Sequence, residues 1–432
     1  GIPDSGDSME PADFLPRHRL QSLFDHLLQQ GFEILAPQVR DGAILFRPTP
    51  HADQLPRGVT QQQAPGQYRL QQGDSPRCFS WANGPQALKP LTFTPQETLW
   101  RSELQPDGSL RFHETPVVTR ATAVIGVRGC DLAALALQDR HFLERIEDSF
   151  YRQRRDSLLL IAVDCSHPAD TCFCASTGDG PEAQAGFDLA LTELAEGYLV
   201  RAGSARGEGI MRALPLVASD AALRQEAIEQ ARRAQQQQRA LPDFDPARLI
   251  HQSEHPAWDR VADACLSCGN CTSVCPSCFC HSEAEAPTLD GQQSEHQRQW
   301  DSCFSEGHSY IHGLHVRPDT RSRYKQWLTH KFGSWVEQYG RSGCTGCGRC
   351  ISWCPVTRTC CGALCPRFGR DCYGCYGPAE TAQTDTLARR FAGLGLMPDA
   401  IACRFLLINS QAPAFLQTGR VFWHSGQEAE DD

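Results

Sequence analysis

Cys265-Leu-Ser-Cys268-Gly-Asn-Cys271-Thr-Ser-Val-Cys275-Pro276 is matched in form by Cys344-Thr-Gly-Cys347-Gly-Arg-Cys350-Ile-Ser-Trp-Cys354-Pro355. Three cysteines at two-residue gaps wrap one tight turn around a single 4Fe–4S cubane, and the proline after the fourth bends the chain away. In paired runs of this kind the fourth thiolate reaches the other cluster. The expected ligand sets are therefore crossed. Cys265, Cys268, Cys271 and Cys354 hold one cluster; Cys344, Cys347, Cys350 and Cys275 hold the other. One such run is also half of a zinc site, but two complete copies in one chain favour cubanes.

The rest of the composition narrows the class. At 432 residues the chain is long enough for two or three domains. A net charge of −10 leaves no basic stripe to displace counterions from phosphate, which argues against a nucleic-acid partner. No apolar run approaches the length of a membrane span, Leu158 to Val163 being the longest candidate. The polar start, Gly1 to Pro11, has the pattern of neither a signal peptide nor a twin-arginine leader. Twenty-two cysteines in such a chain read as metal-binding thiolates in a reducing cytoplasm rather than as disulfides.

The expected fold class is α+β. Residues 10–220 read as a mixed α/β domain, 221–249 as a polar helical linker, 250–356 as a mostly helical two-cluster domain, and 357–432 as an irregular cysteine-rich tail. Leu20 to Gln30 carries a helical apolar stripe, and Ala43 to Arg47 and Tyr68 to Leu70 suggest short strands. Thr122 to Val127 and Leu158 to Val163 read as buried strands, with a helix over Asp131 to Leu143 between them. Such βα units place ligands beyond the carboxyl ends of their strands. Cys130, Cys165, Cys172 and Cys174 follow those two strand ends, so four thiolates are expected to meet at one edge of the sheet as a third cluster. A zinc site, or thiols that merely pack, are the competing readings. Ser322 to Tyr339 has helix-forming composition, and the glutamines at 235–238 read as a solvated face.

Several of these stretches carry a resemblance. They are Gly126-Val-Arg-Gly-Cys-Asp131, Cys172-Phe-Cys-Ala-Ser-Thr-Gly178, Gly186-Phe-Asp-Leu189, Trp300-Asp-Ser-Cys-Phe304, Ser309-Tyr-Ile-His-Gly313, Ser322 to His330 and Ser342 to Pro355. Over residues 20 to about 356 the chain resembles the iron–sulfur beta subunit of cytoplasmic sulfhydrogenases, the NAD(P)-linked NiFe hydrogenases; the anaerobic sulfite reductase A subunit is a related neighbour. Gly129 stands where that family usually has proline, and Thr177 where it usually has methionine. The resemblance implies an electron relay between a gamma-type subunit binding FAD and NAD(P) and the small (delta) hydrogenase subunit, which serves the large (alpha) one. It also implies that no substrate bond is made or broken in this chain.

From Pro355-Val356 onward the sequence instead resembles the C-terminal end of the delta subunit, in Thr359-Cys-Cys-Gly-Ala-Leu-Cys-Pro366 and Gly369-Arg-Asp-Cys-Tyr-Gly-Cys-Tyr-Gly-Pro378. That likeness implies a fourth cluster on Cys361, Cys365, Cys372 and Cys375, with Cys360 to spare and Cys354 claimed by two sites. Cys278 and Cys280 read as small buried thiols, with approach to a cluster without binding it as the competing reading; Cys303 reads as an isolated core thiol, with a ligand as the competing reading, and Cys78 and Cys403 as structural. His308, His312 and His315 read as hydrogen-bonded or surface histidines, with tuning or ligation of a cluster as the competing reading; Arg128 and the basic stretch Arg317 to Lys325 either offset cluster charge or form solvated faces. No nucleophile–base pair and no Gly-x-Gly-x-x-Gly fingerprint stands out, so flavin and nicotinamide are expected on another subunit.

Overall fold

The computed structural model describes residues 12–354, 384–393, 396–398, 400–402 and 417–422. Leu158–Val163 is buried at all six positions, which places it inside a sheet covered on both faces. It pairs in parallel with Thr122–Val127 on one side and Leu189–Glu193 on the other. The complete sheet has eight strands, in the order Val217–Ala218, Ala12–Pro16, Gly197–Ala202, Leu189–Glu193, Leu158–Val163, Thr122–Val127, Glu33–Arg40 and Ala43–Pro48. The four strands from Leu189–Glu193 to Glu33–Arg40 are parallel, and the flanking pairs are antiparallel.

Alternation along the strands feeds two cores. Ile125, Leu159, Ile161, Leu189 and Leu191 pack against Leu23, Phe24 and Leu27 of the Gln21–Gln29 helix. Val124, Leu158, Leu160 and Ala190 face the other way, onto Leu132 and Leu135 of the Gly129–Asp139 helix. The parity breaks at Gly126, where the pairing with Leu158–Val163 skips a residue. Gly126 sits at φ +96°, and a Cβ there would lie 3.1 Å from Pro37 and 3.2 Å from Phe79. A bulge at that point re-aims the chain just before it delivers Cys130 to the sheet edge.

A second sheet joins the two halves of the sequence. Its order is His281–Pro287, Gln293–Trp300, Gln96–Leu104, Leu110–Glu114. The first two strands form a hairpin in the insert between the cysteine runs, and the third comes from the N-terminal half. The insert is therefore partly β, where helix was expected. Its helical part follows as Thr320–Thr329, a π turn at His330–Ser334, and Trp335–Tyr339.

The fold is α+β, as the sequence indicates. The segments read as separate domains at 10–220 and 250–356 fall, up to residue 352, in one compact unit of residues 1–64 and 68–352. The linker helix, Ala221–Gln235, folds back on that unit: Arg77 donates to Gln230 Oε1 at 2.8 Å. The second unit comprises 65–67 and 353–432; its described part includes the Thr384–Gly393 helix, in which Ala388 and Phe391 are buried. Among the described residues no helix is long and apolar enough to cross a membrane.

Candidate metal centres

Cys130 opens the Gly129–Asp139 helix, directly beyond the Thr122–Val127 strand, and Cys165, Cys172 and Cys174 lie on the loop after Leu158–Val163. All four are buried. Cys130, Cys174 and Cys347 share one packed cluster, and Cys165 and Cys172 share another with Ala82 and Ala169. Cys172 feels the charges of Cys165, Cys174 and Cys347 beyond its own desolvation. The structure thus divides the expected third constellation between two packed groups, with Cys347 of the second run standing against Cys130 and Cys174.

Glycines make that approach possible. A Cβ on Gly346 would come within 2.5 Å of the Cys174 nitrogen, and one on Gly348 within 2.4 Å of the Thr171 carbonyl. Both glycines adopt positive φ, +67° and +74°. The two loops are also joined by Phe173 N–H to the Gly346 carbonyl at 2.8 Å and by Cys172 Sγ to the Cys347 carbonyl at 3.6 Å, and Asn83 Nδ2 donates to that same Cys347 carbonyl at 2.8 Å. Beneath them Arg349, 1 % exposed, forks onto the Asp131 carboxylate at 2.5 and 2.8 Å. Asp131 and Arg349 thus tie Gly126–Asp131 to the second cysteine run.

The glutamine run touches this site. Gln237 donates from Nε2 to Cys174 Sγ at 3.2 Å, and its Oε1 accepts from Ala175 N–H at 3.0 Å. Its neighbours Gln235, Gln236 and Gln238 remain exposed, so only part of the expected solvated face is one. Burial pushes the Cys174 thiol up to about 12 despite that donor, so the thiol carries its proton at neutral pH unless a cation compensates it.

Cys275 lies within electrostatic reach of Cys344, Cys347 and Cys350, which is the expected second ligand set. Cys275 is held well below the usual thiol range, first by the Cys278 thiol donating to it and then by the Lys331 and Lys89 ammoniums. Burial pushes Cys344 the other way, up to about 12. Lys331 and Lys89 are 4 % and 5 % exposed, and among the described residues neither pairs with a carboxylate. Lys331 Nζ stands 3.6 Å from Cys275 Sγ and 3.2 Å from Cys278 Sγ. Two buried cations facing thiols fit an anionic thiolate–iron–sulfur group, because an unpaired buried charge is costly.

Cys265 and Cys271 are half-buried and Cys268 is exposed; Ser267, in the left-handed region at φ +51°, points its N–H at Cys265 Sγ at 3.4 Å. The equivalent bond in the second run is Gly346 N–H to Cys344 Sγ, also 3.4 Å. The same turn is therefore built twice around a sulfur. Cys354 belongs to the second unit, and its place in the first ligand set rests on the sequence pattern. Among the described residues no three His, Cys, Asp or Glu side chains close on a point as a single ion requires.

Residues 264–358 match the family model described as a 4Fe-4S dicluster domain. Sulfhydrogenase 2 subunit beta of Pyrococcus furiosus is 30 % identical over 238 residues, covering 54 % of this chain and 70 % of the relative. The chain belongs to the sulfhydrogenase beta-subunit family. No solved structure matches it significantly. As a member of that family it is an iron–sulfur electron-transfer protein, with 4Fe–4S clusters in its dicluster domain.

For this beta-subunit relative, several side chains stand where the sequence alone did not put them. Cys303, expected to be isolated, bonds to the Cys280 thiol and lies near Cys271. His308 bonds to Cys280 and faces Asp301 at 3.3 Å, whereas His312 is exposed. Arg128 is 2 % exposed, stacks on Trp81 and donates to the carbonyls of Phe79, Trp81, Ala82, Val163 and Asp164, so it is not part of a solvated face. Cys78 is buried, and its thiol is pushed up to about 12 by burial. Cys360, Cys361, Cys365, Cys372, Cys375 and Cys403 lie outside the described residues.

Proposed function

We propose that this chain carries electrons between a flavin subunit that handles NAD(P)H and the small subunit of a NiFe hydrogenase, whose large subunit completes the complex. The reading assigns three clusters to the chain: one to Cys344, Cys347, Cys350 and Cys275, one to Cys265, Cys268 and Cys271 with Cys354 added by the sequence pattern, and one to Cys130, Cys165, Cys172 and Cys174. The observation that carries it is the packing of Cys130 and Cys174 against Cys347, which puts the third cysteine group next to a ferredoxin-type run. When bound, such clusters store and release single electrons with little change in shape.

The chain's own residues set the conditions. Burial keeps water from the thiols of Cys130, Cys172 and Cys174. Lys89 and Lys331 offset negative charge near Cys275, and the N–H groups of Ser267 and Gly346 and the amide of Gln237 donate to ligand sulfurs. The Arg349–Asp131 fork and the Phe173–Gly346 bond fix the two cysteine groups relative to each other.

The test is to purify the complex anaerobically and ask what accompanies the chain. Nickel and flavin are expected, and NAD(P)H is expected to reduce the clusters only when the flavin subunit is present. Sirohaem in place of nickel would assign the chain to a sulfite reductase instead. Zinc without iron or labile sulfide would remove the redox role altogether.

A further inference from the structure

A cavity of about 310 Å³ lies beside Cys275 and takes no part in the three sites above. Three thiols line it: Cys278, Cys280 and Cys303. Cys278 is hydrogen-bonded to Cys275, and Cys280 to Cys303 and to His308. The His308 ring presents Nδ1 to Asp301 at 3.3 Å, the arrangement by which a carboxylate orients a ligating imidazole. The sequence separates these groups into a Cys-Phe-Cys turn, a strand end and a 3-10 turn, and the hairpin of residues 281–300 brings them together.

The remaining wall is made of donors. Trp327 Nε1, Trp335 Nε1 and Arg317 Nε are buried without a hydrogen-bond partner among the described residues, and all three residues line the cavity. Trp335 is 2 % exposed. Indole and guanidinium nitrogens only donate, so each calls for an acceptor. Leaving a buried donor unmade is costly, and native structures rarely leave several together. The Lys331 ammonium, which makes no carboxylate ion pair among the described residues, adds further positive charge. An occupant is therefore called for that is anionic, accepts hydrogen bonds and binds thiolates. Inorganic sulfides of an iron–sulfur cluster meet all three conditions, whereas a zinc ion closed by four protein ligands offers no acceptor of its own.

We propose that Cys278, Cys280, Cys303 and His308 bind a further iron–sulfur cluster in this cavity, next to the cluster that Cys275 serves. The indoles of Trp327 and Trp335 and the Arg317 guanidinium donate to its sulfides. The Cys278 sulfur lies within hydrogen-bond reach of the Cys275 sulfur, so the added centre adjoins the relay rather than standing apart from it. An imidazole ligand gives it a higher potential than its all-cysteine neighbours.

The test compares the anaerobic complex carrying Cys280→Ala/Cys303→Ala with the unaltered complex. The pair of substitutions is expected to remove about four iron and about four labile sulfide per chain, while the paramagnetic resonance signals of the two ferredoxin-type clusters persist. Unchanged iron and sulfide in a folded variant would overturn the proposal, as would loss of one zinc instead. If that variant does not fold, His308→Cys decides: iron content is expected to stay constant while one midpoint potential falls. Unchanged potentials throughout would reject the site. Absence of every cluster signal from the unaltered complex would instead reject the electron-carrier reading itself.

Discussion

Gln237 and Arg349 show how single side chains condition the cysteine groups. Gln237 donates to Cys174 Sγ, and a donor at a ligand sulfur favours the more electron-rich state. Gln237→Leu is expected to lower the potential of the proposed Cys130/Cys165/Cys172/Cys174 centre by some tens of millivolts, with iron content unchanged, in a spectroscopic redox titration. Arg349 and Asp131 are 1 % and 3 % exposed, so removing one partner strands a buried charge. Asp131→Ala is expected to cost about 3–5 kcal/mol, and Asp131→Leu/Arg349→Met much less, as read from anaerobic denaturation midpoints. Some loss remains in the double variant because Arg349 also donates to the carbonyls of Gly84 and Gln86. At this scale the sequence was legible wherever spacing is local. Cys344, Cys347 and Cys350 announce themselves within seven residues, and Cys172 and Cys174 within three. Gln237 and Cys303 did not, because their partners are brought to them by tertiary folding that no spacing encodes.

Among the elements, the two buried strands were legible from composition alone: Thr122–Val127 and Leu158–Val163 have the bounds that their apolar runs suggest. The hairpin His281–Pro287/Gln293–Trp300 was not, since its charged and amide-rich strands lack an apolar alternation. What stabilises it is pairing with Gln96–Leu104 and the Arg298–Glu97 ion pair. The loop of Gly346 is the element most sensitive to one added carbon. Gly346→Ala places a methyl against the Cys174 backbone, and the left-handed conformation alone costs about 1–2 kcal/mol. Loss of iron from the Cys344 and Cys130 groups together is expected, measured on the purified variant.

The π turn Arg140–Glu144 carries a pH response. His141 stacks on Phe279 at 3.5 Å and its Nδ1 meets the Tyr339 hydroxyl at 2.7 Å. Burial first, then His281 and Arg145, hold its pKa down to about 4, against opposing effects of Cys280 and Asp148. An unfolded chain would protonate this histidine near its ordinary 6.5, so stability is complete above that pH and falls as pH drops from 6.5 towards 4. His141→Phe is expected to flatten that part of the profile, seen as a smaller drop in the urea midpoint between pH 7 and pH 5.

For the whole molecule, the α+β class and the paired cysteine runs were readable in advance, whereas the merging of the two halves was not. Sequence boundaries near 220 and 250 mark changes of composition. Pairing of Gln293–Gln299 with Gln96–Glu103, together with the Arg341–Asp179 and Arg349–Asp131 ion pairs, crosses them. The consequence is functional: the Cys130 group and the Cys347 run are held as parts of one compact unit rather than on hinged domains. The most direct test is anomalous diffraction at the iron edge from anaerobically grown crystals of the complex. Iron peaks enclosed by Cys344, Cys347, Cys350 and Cys275 and by Cys130, Cys165, Cys172 and Cys174 are the predicted result. Peaks at the zinc edge in those positions, or none at either edge, would contradict the account.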